Sequence, residues 1–286
     1  MSFPLRFVAE AGGGTTGTPA TAGTGPAGGG TPAAAQEGVT VVTAGVWEWV
    51  RRWVAAWEAS PNRGRWPVCI GWAEDFPPGE VARLKGRGYG AIDMRRANAD
   101  CLRLFYHAYN AAHPPNKQRT PHHALWAAKA RAILDCPTRW CVWLDHDAEP
   151  RGDIAPIVAH ALKAGKWMCS PKYASFGTGA HPNLVAQHGL MVVDTWRPEV
   201  HRWWAAMVLH DQPHDERAII AMYGGFAAAD QAIGDLYRPA WYSSCDCYPE
   251  RWTDINGAAA RRVLESAAAV RHWCGGTKRL YRTLYP

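Results

Sequence analysis

The apolar run Trp140-Cys141-Val142-Trp143-Leu144 leads directly into Asp145-His146-Asp147, and the chain then breaks at Ala148-Glu149-Pro150. Such a run reads as a strand buried in a sheet, and it ends on two carboxylates one residue apart. Residues i and i+2 of a strand project to the same face, so Asp145 and Asp147 can converge on one hard cation. Carboxylate oxygens suit Mg2+ or Mn2+, which would neutralise a departing diphosphate. The same doublet also serves as a solvated strand end or a helix N-cap. Its partners elsewhere in the chain decide between these readings.

The flanking segments supply a sheet for that strand. Val39-Thr40-Val41-Val42-Thr43-Ala44 is a β-branched run expected as a buried strand, followed by Gly45 and a helix from about Trp47 to Ala59. Short strands are expected at Trp66 to Gly71 and Gly90 to Met94, separated by a Pro77-Pro78-Gly79 turn and a short helix near Glu80 to Lys85. Helices at about Ala99 to Ala112 and His122 to Asp135 lead into the Asp145 strand. Beyond it come a strand from Leu184 to Asp194 that contains Gln187-His188-Gly189, a Trp-rich helix from Pro198 to Leu209, and a helix near Ala229 to Tyr237 opening at Asp230-Gln231. Alternating strands and helices imply an α/β sheet that is at least partly parallel. Ligands of such sheets sit at the carboxyl ends of strands, where Thr43 and the two carboxylates would meet.

With 286 residues the chain fits one large domain or two small ones. The tract from 11 to 37 is nearly all Gly, Thr, Ala and Pro and cannot bury enough apolar area to offset chain entropy. A disordered arm over residues 1 to 37 and one domain over 38 to 286 are therefore expected. A composition 48% hydrophobic and 20% charged is that of a soluble globular protein, and no run reaches the ~18 apolar residues of a membrane span. Without an apolar leader, a cytoplasmic location and no membrane partner are expected. The eight cysteines are then expected as free thiols. Cys245-Asp246-Cys247 is the one close pair; it lacks a second pair or a nearby His-x-x-x-His, so loop cysteines are expected over a zinc site.

The formal charge of +6 favours an anionic partner. Between Arg83 and Arg131 many basic residues face only Asp93 and Asp100, and the tail from Arg261 to Arg282 is basic again. Two such segments with aromatic residues among them can track a phosphate backbone, and a solvated basic face is the plain alternative.

Taken in order, Lys129, Asp145 with Asp147, Gln187-His188-Gly189, Asp230-Gln231, and His272 with Gly275 and Lys278 form a constellation. It resembles the motif set of the GT-A-fold nucleotide-sugar glycosyltransferases, especially the retaining branch of bacterial lipooligosaccharide galactosyltransferases and glycogenin. In that family a nucleotide strand and helix precede a basic residue on a helix, a Leu-Asp-x-Asp metal motif, an Asn-x-Gly segment, an Asp-Gln pair on a helix and a closing His-x-x-Gly-x-x-Lys. The resemblance covers most of 38 to 286. Gln187 stands where the family has Asn, and Thr43 and Ala44 stand where it has an acidic residue after the first strand. The segment from Lys129 to Pro150 also resembles the eukaryotic galactomannan and xyloglucan transferases, with a Lys-bearing helix, a Trp and Asp-x-Asp-Ala.

The resemblance implies a GT-A fold, a Rossmann-like mixed and mostly parallel sheet flanked by helices. It also implies Mn2+ or Mg2+ on Asp145, Asp147 and His272, and a UDP-sugar as donor substrate. Donor contacts would come from Thr43, Ala44, Lys129, His146, Gln187, His188, Gly189, Gly275 and Lys278. Asp230 would bond the donor sugar and Gln231 would sit beneath the anomeric carbon, with retention of configuration as the outcome. On physical grounds alone, His272 can offer imidazole to the metal, Gly275 lets backbone approach phosphate, and Lys278 adds a cation for the diphosphate. The plain alternatives are a packed ring for His272, a solvated helix lysine for Lys129 and an N-cap for Asp230.

A hydroxyl acceptor follows, and the basic segments suggest a hydroxymethylated base in DNA, as in virus-encoded DNA glucosylation. A saccharide or protein hydroxyl is the alternative. An aspartyl-phosphate phosphatase would carry its Asp-x-Asp on an early strand followed by Thr or Val, whereas Ala148 follows a central one. A non-catalytic nucleic-acid-binding protein would leave the diphosphate clamp without purpose.

Overall fold

A computed structural model describes residues 36–118, 121–179, 181–209, 214–248, 257–274 and 277–284. The expected N-terminal arm lies outside these, except that Gln36 and Glu37 already belong to the first strand.

The chain opens with β1 (Gln36–Ala44), α1 (Trp47–Ala59), β2 (Val68–Trp72), α2 (Glu80–Gly86) and β3 (Gly90–Asp93). Helices α3 (Arg95–Ala112) and α4 (Pro121–Leu134) lead to β4 (Thr138–Leu144) and the short β5 (Ala148–Pro150). Next come α5 (Ala155–Ala164), β6 (Met168–Ser170), α6 (Tyr173–Phe176), β7 (Leu190–Asp194) and α7 (Pro198–Leu209). Helices α8 (Asp215–Met222) and α9 (Phe226–Ala232) precede β8 (Gly234–Asp235) and β9 (Tyr242–Ser244), and α10 (Ala258–Glu265), β10 (Val270–His272) and α11 (Lys278–Leu284) follow.

Seven strands form the main sheet in the order β3-β2-β1-β4-β7-β6-β8. The β1–β2, β1–β4, β2–β3 and β6–β8 pairings are parallel, and β7 runs antiparallel to both β4 and β6. Strand periodicity explains why this sheet is covered on both faces. Val42, Cys141, Trp143, Met191 and Val193 pack on one side with α3, α4 and α7, whereas Val41, Val142, Leu144, Leu190 and Val192 pack on the other with α1 and α5. Helix α1 presents Val50, Trp53, Val54 and Trp57 at i, i+3, i+4 and i+7, and Trp53 stacks on Trp57.

Three expected elements differ. The Leu184–Asp194 strand is regular only from Leu190, because Gln187 spends its backbone on Pro171 and the Ser170 hydroxyl. Helix α3 begins at Arg95 rather than Ala99, since the Asp93 carboxylate accepts the Arg95 N–H at 3.1 Å and Asn98 N–H bonds Met94 C=O. Gly224, with φ 72, and Gly225 end one helix and start another, so the helix expected from Ala229 to Tyr237 lies at Phe226–Ala232 instead. Asp230 and Gln231 therefore occupy its last turn, not its opening.

The basic stretch from Arg83 to Arg131 is not a bare cationic stripe. Arg83 pairs with Glu80, Arg87 with Glu58, Arg95 with Asp93, Arg103 with Asp100 and Arg131 with Asp135. Among the described residues no helix is long and apolar enough to cross a membrane.

Candidate active site

A second, three-stranded sheet in the order β5-β10-β9 closes the site. Antiparallel pairing of β10 with β5 sets His272 opposite Ala148, and the Trp273 N–H then bonds the Asp147 carbonyl at 2.9 Å. The Trp273 indole N–H is anchored on buried Glu149 at 2.9 Å. Two pieces of chain far apart in sequence are thereby stitched at one point. Asp145 itself is fixed by its N–H to Gly189 C=O at 2.9 Å and by its carbonyl to Ala148 N–H at 2.8 Å.

At that point one ligand atom each from Asp145, Asp147 and His272 lie within 4.8 Å of one another. His272 Nε2 is 3.2 Å from Asp147 Oδ1 and 3.9 Å from Asp145 Oδ2. Tyr242 donates its hydroxyl to Gln187 Oε1, so its oxygen, 2.7 Å from His272 Nδ1, is left to accept the Nδ1–H. This turns Nε2 toward the carboxylates, as outer partners of a metal-ligating imidazole do. Gly189 is required beside it: a Cβ there would overlap the imidazole ring.

Electrostatics bind the cluster further. Burial alone would lower the His272 pKa, but the adjacent Asp147 overrides it and raises it to about 9. Burial opposes ionisation of Asp147 too, yet Lys278, 2.7 Å away, and His272 hold its carboxyl well below the usual range. Lys129 is buried at 6% exposure, so it is not a solvated helix lysine. Its ammonium lies 3.0 Å from Asp145, 2.9 Å from Asp215 and 3.2 Å from the His188 carbonyl. Burial works against that charge, and the two carboxylates outweigh it to push the Lys129 pKa up.

Beside the cluster lies a cavity of about 150 Å³, lined among others by Lys129, Asp145, Tyr173, His188, Glu216 and His272. Its far wall is the first turn of α8, which supplies Asp215 and Glu216. The ring of His188, 2% exposed, points Nδ1 at Asp215 Oδ2 over 3.1 Å and meets Trp203 edge-on. Glu216 faces the Tyr173 hydroxyl at 3.3 Å and the His188 N–H at 3.3 Å. Burial, then the neighbouring Asp215, pushes the Glu216 pKa well up, which favours its neutral acid.

Other expected site residues are placed differently. Thr43 and Ala44 are buried at the end of β1, and Ala44 reaches the site through its carbonyl, 3.1 Å from His146 Nδ1. His146 is half-buried there, and the burial it has lowers its pKa. Gln187 lines the cavity, with its amide bonded to Tyr242 and Asp246. Asp230 pairs with Lys172 at 3.0 Å, the Gln231 carbonyl accepts from Lys166 at 2.8 Å, and neither residue lines the cavity. Gly275 lies outside the described residues. Asp215 and Glu216 escaped the sequence reading, although an acidic pair opening an apolar Ala218-Ile219-Ile220 run is a helix-start signal.

No protein-family model and no curated relative matches the sequence. Solved structures do. The galactosyltransferase LgtC, in complex with donor and acceptor sugar analogues, superposes with a TM-score of 0.51 over 86% of this chain and 95% of its own, at 14% identity. The apo form of the glycosyltransferase GlyE from Streptococcus pneumoniae TIGR4 gives 0.54 over 84% of this chain, at 11% identity. The bifunctional glycosyltransferase WbbM gives 0.53 over 84%, at 9% identity. This chain spans 55% of the GlyE chain and 46% of the WbbM chain. At such identities the likeness is one of architecture, and the chain has the GT-A fold of the nucleotide-sugar glycosyltransferases.

Proposed function

We propose that this chain is a metal-dependent glycosyltransferase that moves a sugar from a UDP-sugar to a hydroxyl. The observation that carries the proposal is the convergence of Asp145, Asp147 and His272 on one point, with the Lys278 ammonium beside it. Two carboxylate oxygens and one imidazole nitrogen fit Mn2+ well, and Mg2+ less well because of the nitrogen. When bound, such a cation supplies Lewis-acid stabilisation of a departing diphosphate.

The chain's own residues do the rest. Tyr242 holds the His272 ring in the ligating orientation, and Lys278, released from Asp147, shares the charge of the leaving phosphate. Lys129 bridges Asp145 and Asp215, and with His188 it holds the buried Asp215 carboxyl well below the usual range. For the reacting centre we assign Asp215 and Glu216 in place of Asp230 and Gln231, because the former line the cavity. Asp215 would bond the donor sugar and Glu216 would lie beneath the anomeric carbon. Retention is the outcome the resemblance implies; inversion would need an ionised carboxylate base opposite the leaving group, and Asp215 would be the first candidate.

The formal charge of +6 supports an anionic acceptor, and a hydroxymethylated base in DNA is the first to test. Ion pairing along the Arg83–Arg131 stretch weakens its field, which favours a saccharide or protein hydroxyl as the second reading. Incubation with a panel of UDP-sugars and Mn2+, monitoring UDP release, tests the activity. Release that needs Mn2+ is expected; no release with any donor overturns the proposal. Equal rates on DNA with and without hydroxymethyl groups remove the DNA acceptor.

A further inference from the structure

A second metal-binding arrangement lies about one side chain away from the first and uses softer donors. Cys274 follows His272 by two residues, and its Sγ comes within 2.9 Å of Cys245 Sγ. One carboxylate oxygen of Asp246 joins these two sulfurs in a group whose members all lie within 4.8 Å. His181 brings Nε2 to 3.6 Å from Asp246 Oδ1. It does so from a left-handed backbone with φ 49, the one non-glycine residue with positive φ among those described. A β-carbon residue adopts that conformation at a cost, and such strain gathers where a side chain must be aimed.

We infer that Cys245, Cys274 and Asp246 form a structural site for a thiophilic divalent cation of the zinc class, with His181, which meets Asp246 but stands outside the three-residue cluster, moving in as the fourth ligand. Two sulfurs, a carboxylate and an imidazole are a zinc donor set, whereas the Asp145 site offers harder ligands. With Zn–S near 2.3 Å, tetrahedral sulfurs stand about 3.8 Å apart, so the two thiols part by about 0.9 Å on loading. A disulfide would need them to close by a similar distance instead.

The site is tied to the catalytic one. Gln187 Nε2 donates to Asp246 Oδ2 at 2.7 Å and lies 3.7 Å from Cys274 Sγ, while Gln187 Oε1 accepts from the Tyr242 hydroxyl. Tyr242 in turn meets His272. A cation here pins the end of β10 and fixes the ring that the other site uses.

Metal content of the full-length protein, purified without chelator, tests this together with the thiol state read by alkylation and mass spectrometry. One zinc per chain and alkylatable cysteines are expected. Cys245→Ser and Cys274→Ser should each lose the zinc, while Cys247→Ser and Asp147→Ala keep it. Because a serine variant can fail to fold, metal-free wild type is also titrated with Co2+, and a thiolate-to-cobalt absorption band is expected. Absence of both zinc and the cobalt band overturns the inference. So does a mass two hydrogens lower with Cys245 and Cys274 protected, which would mean a disulfide, or zinc retained in both serine variants.

Discussion

His272 concentrates the chemistry of the cation site. Its folded pKa of about 9 exceeds the ordinary 6.5, so the metal-free protein holds a protonated ring at neutral pH. The stability this confers is fully present below the unfolded pKa and is lost as pH rises through about 9. A cation must displace that proton, so Mn2+ affinity should rise with pH up to about 9 and Mn2+ binding at pH 7 should release a proton. Calorimetry in buffers of different ionisation enthalpy reads the release directly, and a pH-independent affinity would contradict it. Gly189→Ala places a methyl group in the His272 ring and should abolish Mn2+ binding, while circular dichroism shows the fold retained. Glu216 provides a separate test. If it acts as a neutral group, Glu216→Gln should keep transfer within about tenfold and Glu216→Ala should lose about 100-fold or more. Steady-state rates decide; a Gln variant as poor as Ala would make the ionised carboxylate essential.

At the scale of elements, the buried Lys129 on α4 joins β4, through Asp145, to α8, through Asp215. Lys129→Ala leaves buried Asp215 without its lysine counter-ion and half-buried Asp145 with one cation fewer, and should cost about 3 kcal/mol in urea denaturation. A loss below about 1 kcal/mol would mean that α8 is held by packing alone. The same elements show what the sequence makes legible. Helix α1 has the expected bounds, and β4 ends on the expected carboxylates, because each carries a long run of a single period. The three-residue strands β5, β9 and β10 have too few residues for any period, and they exist only because distant partners pair with them. Lys129, Asp145, Asp147, His272 and Lys278 do gather, since each sits in a readable motif. Asp230-Gln231 reads as the helix pair of the resemblance, but the Gly224-Gly225 break sets that helix at Phe226–Ala232, whereas Asp215 and Glu216 line the cavity beside Asp145. Cys245 and Cys274 are 29 residues apart, a separation with no ligand spacing to read.

For the molecule as a whole, a sheet buried on both faces delivers Asp145 and Asp147 from β4, and the small sheet returns His272 from near the other end of the chain. On the proposed reading both pieces are needed to hold a diphosphate. Charge acts at this scale as well: if DNA is the acceptor, transfer should fall steeply between 50 and 200 mM salt, on the order of 10³-fold for six phosphate contacts. A flat salt response would favour a neutral saccharide or a protein hydroxyl. The most direct test of the shared cation is calorimetric titration of UDP into wild type and Asp147→Ala, each with and without Mn2+. Tight UDP binding only for wild type with Mn2+ is the expected result; UDP binding that ignores both the ion and the substitution would contradict the account.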